Sequence, residues 1–581
     1  MQRIVGQQLE ESRRDDAAVA GASYDDEERR GRRARQRAAA GARSKAMKCL
    51  VGGIAQGSPA ERARWTAEMI PRSETTAGPL TREEEHQAAQ RCAWGEGNLR
   101  QARKEMRAAG KRPGTHEGIP WAKLGPLLMP GPSGDRQEHL DDMMKGCSAS
   151  QRRRLTRALD DFTVRWAIGA LPSTCRWLLN TLALFLRKDR EPTSKEFDDE
   201  EWIQWLEQAV AESDVEEIVE EIEADDGDIS MASAAAPDTE QPETPKVRPI
   251  QVGEWLRRWV SRRLLTLNKR DIGKVMVAMR QLGVGMSGGA ESLAIFHQLL
   301  YEIWGEGGLD RPLARVKVDE TNCFGRLEWS AVRNATREAL PRHYPVACWK
   351  HAAASYVEQA GVPASPKDRG AEQGDVDGPL ECSVTLGGVA GKARSEVHGA
   401  QRRGELPWAS TDPNAVAAAA SEYDERSVRR EAWLASAPAD RRASTGNKAI
   451  ITDPRHEVQA LGGIADFWYL DDGDILCDPR LVPALIQHYD PADAEVGGKR
   501  NIPKSEVLYY ATAAELEEHE AEWQVDTVRT LASVRTANDS GMTLGVVTGS
   551  LAKIEEQLER KADVIRACRN ALTANASGSA R

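Results

Sequence analysis

The stretch that most limits what this chain can fold into runs from Gly462 to Asp478, GGIADFWYLDDGDILCD. An apolar, aromatic segment, Phe467-Trp468-Tyr469-Leu470, leads directly into Asp471 and Asp472, and apolar character resumes at Ile475 and Leu476. Two buried strands joined by a tight acidic turn satisfy that pattern, so a β-hairpin is expected. Adjacent carboxylates at a strand end repel each other and lose hydration, and a hard divalent cation is the usual remedy. The sequence carries its own control. The letters DDGDI recur at Asp225–Ile229, but there Glu221, Glu223 and Ala224 precede them and no aromatic strand holds them. That copy reads as solvated. Of seven Asp-Asp pairs in the chain, only Asp471-Asp472 has a Tyr two residues upstream inside an apolar run.

With 581 residues the chain can bury a large core and hold several domains. Its formal net charge of -11 argues at first against a nucleic-acid partner. The distribution reverses that. Residues 196–245 hold 19 acids and no Lys or Arg, so the remainder is basic by +8. Nine cysteines form no CxxC or zinc-finger spacing, which fits reduced thiols in an intracellular protein. The N-terminus lacks the apolar core of a secretory signal. The longest apolar run, Trp177 to Leu186, is too short for a membrane span of about 20 residues.

Taken in order, residues 1–110 are rich in Ala, Arg, Glu and Gly and read as a charged, disordered region. Within it, Arg29 to Lys45 holds eight basic residues, either a solvated tail or an arm for nucleic acid or nuclear import. Residues 111–206 read as a helical extension, with helices over Gln151–Ala170 and Ser173–Lys188 broken by Pro172, and Trp166, Trp177, Leu178 and Leu182 facing a core. Trp202, Ile203, Trp205 and Leu206 suggest one more short helix before an acidic linker at 207–245. A new regime then begins. KVRPIQV predicts a strand, and GEWLRRWVSRRLLTLNKR a helix with Leu256, Val260, Leu264 and Leu267 on one face. Arg257, Arg258, Arg262 and Arg263 occupy the opposite face, either solvated or set for phosphate contact. QLGVGMSGGAES predicts a flexible glycine loop before a helix over Leu293–Trp304; it lacks the GK[ST] of a P-loop. RVKVDETNCF predicts a strand delivering Asp319 at its end, and Gln373-Gly374-Asp375 a bend before a helical segment. Beyond the hairpin follow a helix over Leu481–Tyr489, strands at Glu506–Tyr510 and Thr543–Val547, and a last helix after Leu551.

Seven of these pieces, in one order, resemble the reverse transcriptases of non-LTR (LINE-type) retrotransposons: KVRPIQVGEWLRR, QLGVGMSGGAES, VKVDETNCFG, GAEQGDVDGPLE, WYLDDGD, NIPKSE and TLGVVTGS. The resemblance covers 246–550. It implies an α+β right-hand polymerase fold with fingers and palm, a helical N-terminal extension, and a truncated thumb over 551–581. It implies an RNA-directed DNA polymerase that uses an RNA template, a DNA primer and deoxynucleoside triphosphates. Two magnesium ions, with manganese as the alternative, would be held by Asp319, Asp471 and Asp472. Lys504 matches a general acid towards pyrophosphate. Arg248, with Lys246, matches the cations that hold the triphosphate. Phe324 matches the aromatic that excludes a ribose 2′-hydroxyl, and Gln373 and Gly374 match the turn lining the nucleotide pocket. No membrane association is implied, and the expected location is intracellular and nuclear.

Some residues depart from the family pattern. The usual QGDPL reads Gln373-Gly374-Asp375-Val376-Asp377 here, with proline only at Pro379. Fewer than 40 residues follow Gly545, and no endonuclease, RNase H or zinc knuckle is visible. Two rival readings stay open at this point: an RNA-templated RNA polymerase, and a catalytically silent remnant that binds nucleic acid. Asp474 has no counterpart in the family's metal set and is left out of the site.

Overall fold

The computed structural model describes residues 58–73, 81–110, 137–187, 247–407, 463–539, 541–543, 546–550 and 554–556, apart from 287, 310, 360 and 361, together with 414 and 417. The chain divides into two units, Thr66–Ala183 with Gln251–Ile554, and Met1–Trp65 with Leu184–Ile250 and Glu555–Arg581. In chain order come α1 (Pro59–Met69), α2 (Arg82–Gln90), α3 (Leu99–Gly110), α4 (Gln137–Gly146), α5 (Ala149–Ala167), β1 (Thr181–Arg187) and β2 (Val247–Gly253). There follow α6 (Trp255–Ala278), α7 (Gly289–Gly305), β3 (Ala314–Val318), α8 (Cys323–Arg326), α9 (Trp329–Ala339) and α10 (Tyr344–Lys350). Next are β4 (Ser355–Gln359), β5 (Val362–Lys367), α11 (Gly378–Arg402), β6 (Ile464–Tyr469), β7 (Asp472–Cys477) and α12 (Val482–Glu495). The last strands are β8 (Glu506–Tyr509), β9 (Ser533–Thr536), β10 (Gly541–Thr543) and β11 (Val546–Thr548). The fold is mixed α+β, as expected.

The expectation of disorder over residues 1–110 fails over 58–73 and 81–110, where α1, α2 and α3 form. The local signal is a reciprocal cap. Thr81 Oγ1 accepts from the Glu84 N–H while the Glu84 carboxylate accepts from the Thr81 N–H, which satisfies two donors that a bare helix start leaves open. Ser148 and Gln151 do the same for α5. Trp94, Met106, Trp166 and Trp259 then pack with Leu178 and Leu179 in one apolar cluster that joins α3, α5 and α6.

Three further expectations need correction. Ser173–Lys188 is no helix: a 3-10 turn, Ser173–Leu179, runs into β1, whose Thr181 pairs in parallel with Val357 of β4. Ladder hydrogen bonds decide a segment whose Leu, Ala and Phe tolerate either state. Within it Leu178 is buried as expected, whereas Trp177 is 50% exposed. The arginine face of α6 is the second correction. Arg257, Arg258 and Arg263 are buried, and of the four only Arg262 is exposed. Buried guanidinium groups demand acid partners, and Arg263 finds Asp160 at 2.5 Å. Third, the segment around Thr543–Val547 is an antiparallel pair, β10 with β11, rather than one strand. The acidic linker, the Trp202–Leu206 segment, the Arg29–Lys45 run, Leu544, Gly545 and most residues after Leu551 lie outside the described residues.

A five-stranded sheet, β6-β7-β3-β8-β9, organises the larger unit. Val316, Val318, Ile475, Cys477 and Val507 cover one face with Leu386, Val389 of α11 and Leu485, Ile486 of α12. Phe467, Leu476 and Leu508 cover the other with Leu293, Phe296 and Leu300 of α7. Burial on both faces explains why β6 is apolar at every position but Asp466 rather than alternating. A second sheet has the order β2-β1-β4-β5. Among the described residues no helix is long and apolar enough to cross a membrane.

Candidate active site

The hairpin forms as expected. Strands β6 and β7 are antiparallel, and Tyr469 pairs with Asp472, leaving Leu470 and Asp471 as the turn. Strand β3 pairs antiparallel with β7 up to Val318 opposite Gly473, so the next residue, Asp319, arrives opposite Asp472 at the same sheet end. Strand alternation puts Asp319, Lys317 and Arg315 on one face with Asp472 and Asp474. Asp319, Asp471 and Asp472 are all half-buried. Burial, then the charge of Asp471, then that of Asp319 push the Asp472 carboxyl up to about 6, with Lys317 opposing. Asp474, two residues along the same face, behaves in the opposite way. Burial would raise it, but Arg315 Nε at 2.7 Å and His297 Nε2 at 3.2 Å hold its carboxyl well below the usual range. Its exclusion from the site is consistent with that satisfied pairing.

Among the described residues no group of three His, Cys, Asp or Glu side chains stands ready to cage a metal ion. The chemistry of the strand-end acids nevertheless fits magnesium. That ion takes one or two carboxylates and fills its octahedron with water and substrate oxygens. Burial first, and then the charges of its acidic neighbours, raise Asp472, and a nearby cation would offset both.

Lys504 closes a short 3-10 turn, Ile502–Lys504, and is exposed. The loop that carries it is tied to the Asp319 backbone. The Asn501 N–H donates to the Asp319 carbonyl at 2.7 Å, the Thr321 N–H to the Lys499 carbonyl at 2.8 Å, and the Asp319 N–H reaches Ser505 Oγ at 3.5 Å. Sequence positions 319 and 504 are therefore neighbours in the fold.

The bend at Gln373-Gly374 stands on buried charges. Its acids, Glu372, Asp375 and Asp377, point inward, while Gln373 is half-buried and Gly374 exposed. Gly374 has φ +118°, a conformation only glycine adopts freely. Arg257, 0% exposed, donates to Asp375 at 2.6 Å and reaches Glu372 at 2.9 Å. Lys367 meets Glu372 at 2.9 Å, Lys350 meets Glu381 at 2.7 Å and Asp377 at 3.5 Å, and Ser261 Oγ donates to Asp377 at 2.6 Å. The Gln251 N–H of β2 donates to the Gln373 carbonyl at 2.8 Å. Burial pushes the Glu381 carboxyl up to about 7, with Lys350 opposing and Glu372 and Asp377 adding to the rise. Phe324, 7% exposed, packs in the cluster under the sheet, and its carbonyl accepts the Ala371 N–H at 2.7 Å beside this bend. Arg248 lies half-buried on β2, and Lys246 lies outside the described residues.

Sequence reasoning missed Gln281. The glycine loop expected to be flexible is tied to the hairpin: the Trp468 N–H donates to the Arg280 carbonyl at 3.0 Å and the Leu282 N–H to the Trp468 carbonyl at 2.6 Å. Residues 280–282 thus lie parallel beside β6. The run QLGVGM carried the glycines but no sign that its Gln is buried, because the partner is 189 residues away. No protein-family model matches the chain, and no curated protein matches it.

Proposed function

We propose that this chain is an RNA-directed DNA polymerase of the non-LTR retrotransposon kind, which extends a DNA primer on an RNA template with deoxynucleotides. One observation carries the reading: the β3–β7 register brings Asp319 to the sheet end where Asp471 and Asp472 form the hairpin tip. Carboxylates on two neighbouring strands, left to repel one another, are the donor set that phosphoryl transfer requires. On this reading the five-stranded sheet with α11 and α12 is the palm of a right-hand polymerase, and β2 and α6 belong to its fingers.

Asp319 and Asp471 would hold two magnesium or manganese ions, which when bound polarise the primer hydroxyl and the phosphoryl oxygens. Asp472 adds negative charge beside them and tunes how tightly they are held. Arg248, with Lys246, orients the triphosphate through charge-assisted hydrogen bonds. Gln373 and Gly374, presented outward from their buried acids, line the nucleotide pocket, and Phe324 excludes a ribose 2′-hydroxyl. Lys504 on its exposed turn protonates the leaving pyrophosphate. The site of synthesis is the nucleus, with Arg29–Lys45 as the import arm, so deleting that run disperses the protein.

The test is primer extension on an RNA template with an annealed DNA primer and magnesium. Deoxynucleotide incorporation is expected, falling about a thousandfold in Asp471→Asn, the loss of roughly 4 kcal/mol of transition-state stabilisation. Preference for ribonucleotides, or RNA binding without extension, would overturn the assignment.

A further inference from the structure

Leu470 sits between the aromatic strand and Asp471 with φ +61°, a conformation that bulky L-residues rarely adopt. Something outside the hairpin must hold it there. A single side chain does. Gln281 Oε1 accepts the Leu470 N–H at 2.8 Å, and Gln281 Nε2 donates to the Leu470 carbonyl at 3.0 Å. Gln281 is 0% exposed, so both bonds form where water competes poorly. Its own placement is fixed on two sides. Its N–H donates to the Met276 carbonyl at 2.8 Å at the end of α6, and its Oε1 also accepts the Gly283 N–H at 3.0 Å. Gly283 has no side chain for a reason visible in the geometry: a Cβ there would lie 2.7 Å from the Leu470 nitrogen. The clamp and the clearance beside it come from the same short loop.

We propose that Gln281 is the positioning residue for the acidic tip, holding Leu470 in its left-handed conformation so that Asp471 and Asp472 leave the turn in the direction their chemistry needs. This deepens the polymerase reading and rests on it for its kinetic consequence. The clamp touches neither acid directly, so its effect passes through the turn backbone. A glycine at 470 would reach the same φ without assistance, which makes the dependence on Gln281 removable.

Four proteins test this: wild type, Gln281→Met, Leu470→Gly and the double variant. In primer extension Gln281→Met should lower kcat about tenfold and raise the magnesium concentration needed for half-maximal rate, with the KM for deoxynucleotide within about twofold of wild type. The double variant should return to within about twofold of Leu470→Gly alone, because glycine no longer needs the clamp. Amide exchange at Asp471 and Asp472 should follow the same cycle, faster in Gln281→Met and restored in the double variant. Kinetic losses that add, or exchange unchanged by Gln281→Met, would overturn the proposal. If wild type extends no primer, the polymerase reading fails, and the exchange cycle alone decides the clamp.

Discussion

Among the described residues, two groups of carboxylates, at the Gln373-Gly374 bend and at the hairpin tip, differ in their surroundings. At the Gln373-Gly374 bend, Glu372, Asp375 and Asp377 are buried among Arg257, Lys350 and Lys367, each within ordinary ion-pair distance of a cation. At the hairpin tip, burial and then the charge of Asp471 raise Asp472, with Lys317 opposing and Asp319 adding to the rise. The contrast repeats over two residues of one strand, where Asp474 has Arg315 and His297 and Asp472 has its acidic neighbours. Acids that the chain neutralises itself are structural. On the proposed reading, the acids that raise one another at the strand end are the ones a divalent cation would join, and this difference in surroundings, more than the count of acids, separates them from the bend.

Substitutions can break that comparison. The largest effect is expected from Arg257→Met, which removes the buried guanidinium held 2.6 Å from Asp375 and leaves Glu372 to Lys367, and should lower stability by about 3–5 kcal/mol in urea melts. A loss below about 1 kcal/mol would mean the bend does not depend on its ions. Asp474→Asn should lower stability by about 2 kcal/mol, since it leaves Arg315 buried without its anion. Asp472→Asn should act in the other direction and raise stability by about 1 kcal/mol at neutral pH, because it removes a charge its neighbours repel. Equal destabilisation by the two substitutions would erase the distinction between them.

A further effect is a pH slope. The folded Glu381 carboxyl is raised to about 7, so the folded state keeps that proton after the unfolded chain has released it. Its stabilising contribution is present below the unfolded value of about 4.5 and is lost as pH rises through about 7. Glu381→Gln should therefore flatten the decline in melting temperature between pH 5 and 8. An unchanged decline would place the titration elsewhere.

Much of this site was legible in the sequence because its signals are local. An aromatic run ending in two acids predicts the β6–β7 hairpin, and RVKVD predicts a strand ending at Asp319. Helices α6 and α11 follow from their own patterns. The failures share a physical cause. Whether Arg257 meets solvent or Asp375 depends on a contact across 118 positions, and a charge pattern on one helix face does not reveal it. Thr181–Arg187 became a strand because Val357 offers a ladder partner that the segment itself does not announce. The helices at 58–110 were a different matter. Thr81 to Glu84 is a readable capping box, obscured by the polar composition around it.

The central proposal is that a divalent cation binds at the hairpin-tip acids and not at the bend acids. Manganese titration of the full-length protein, followed by the loss of the free-ion EPR signal, tests it most directly. Binding by wild type that is lost in Asp471→Asn and kept in Glu372→Gln is the predicted result. Equal binding by wild type and Asp471→Asn would contradict the account.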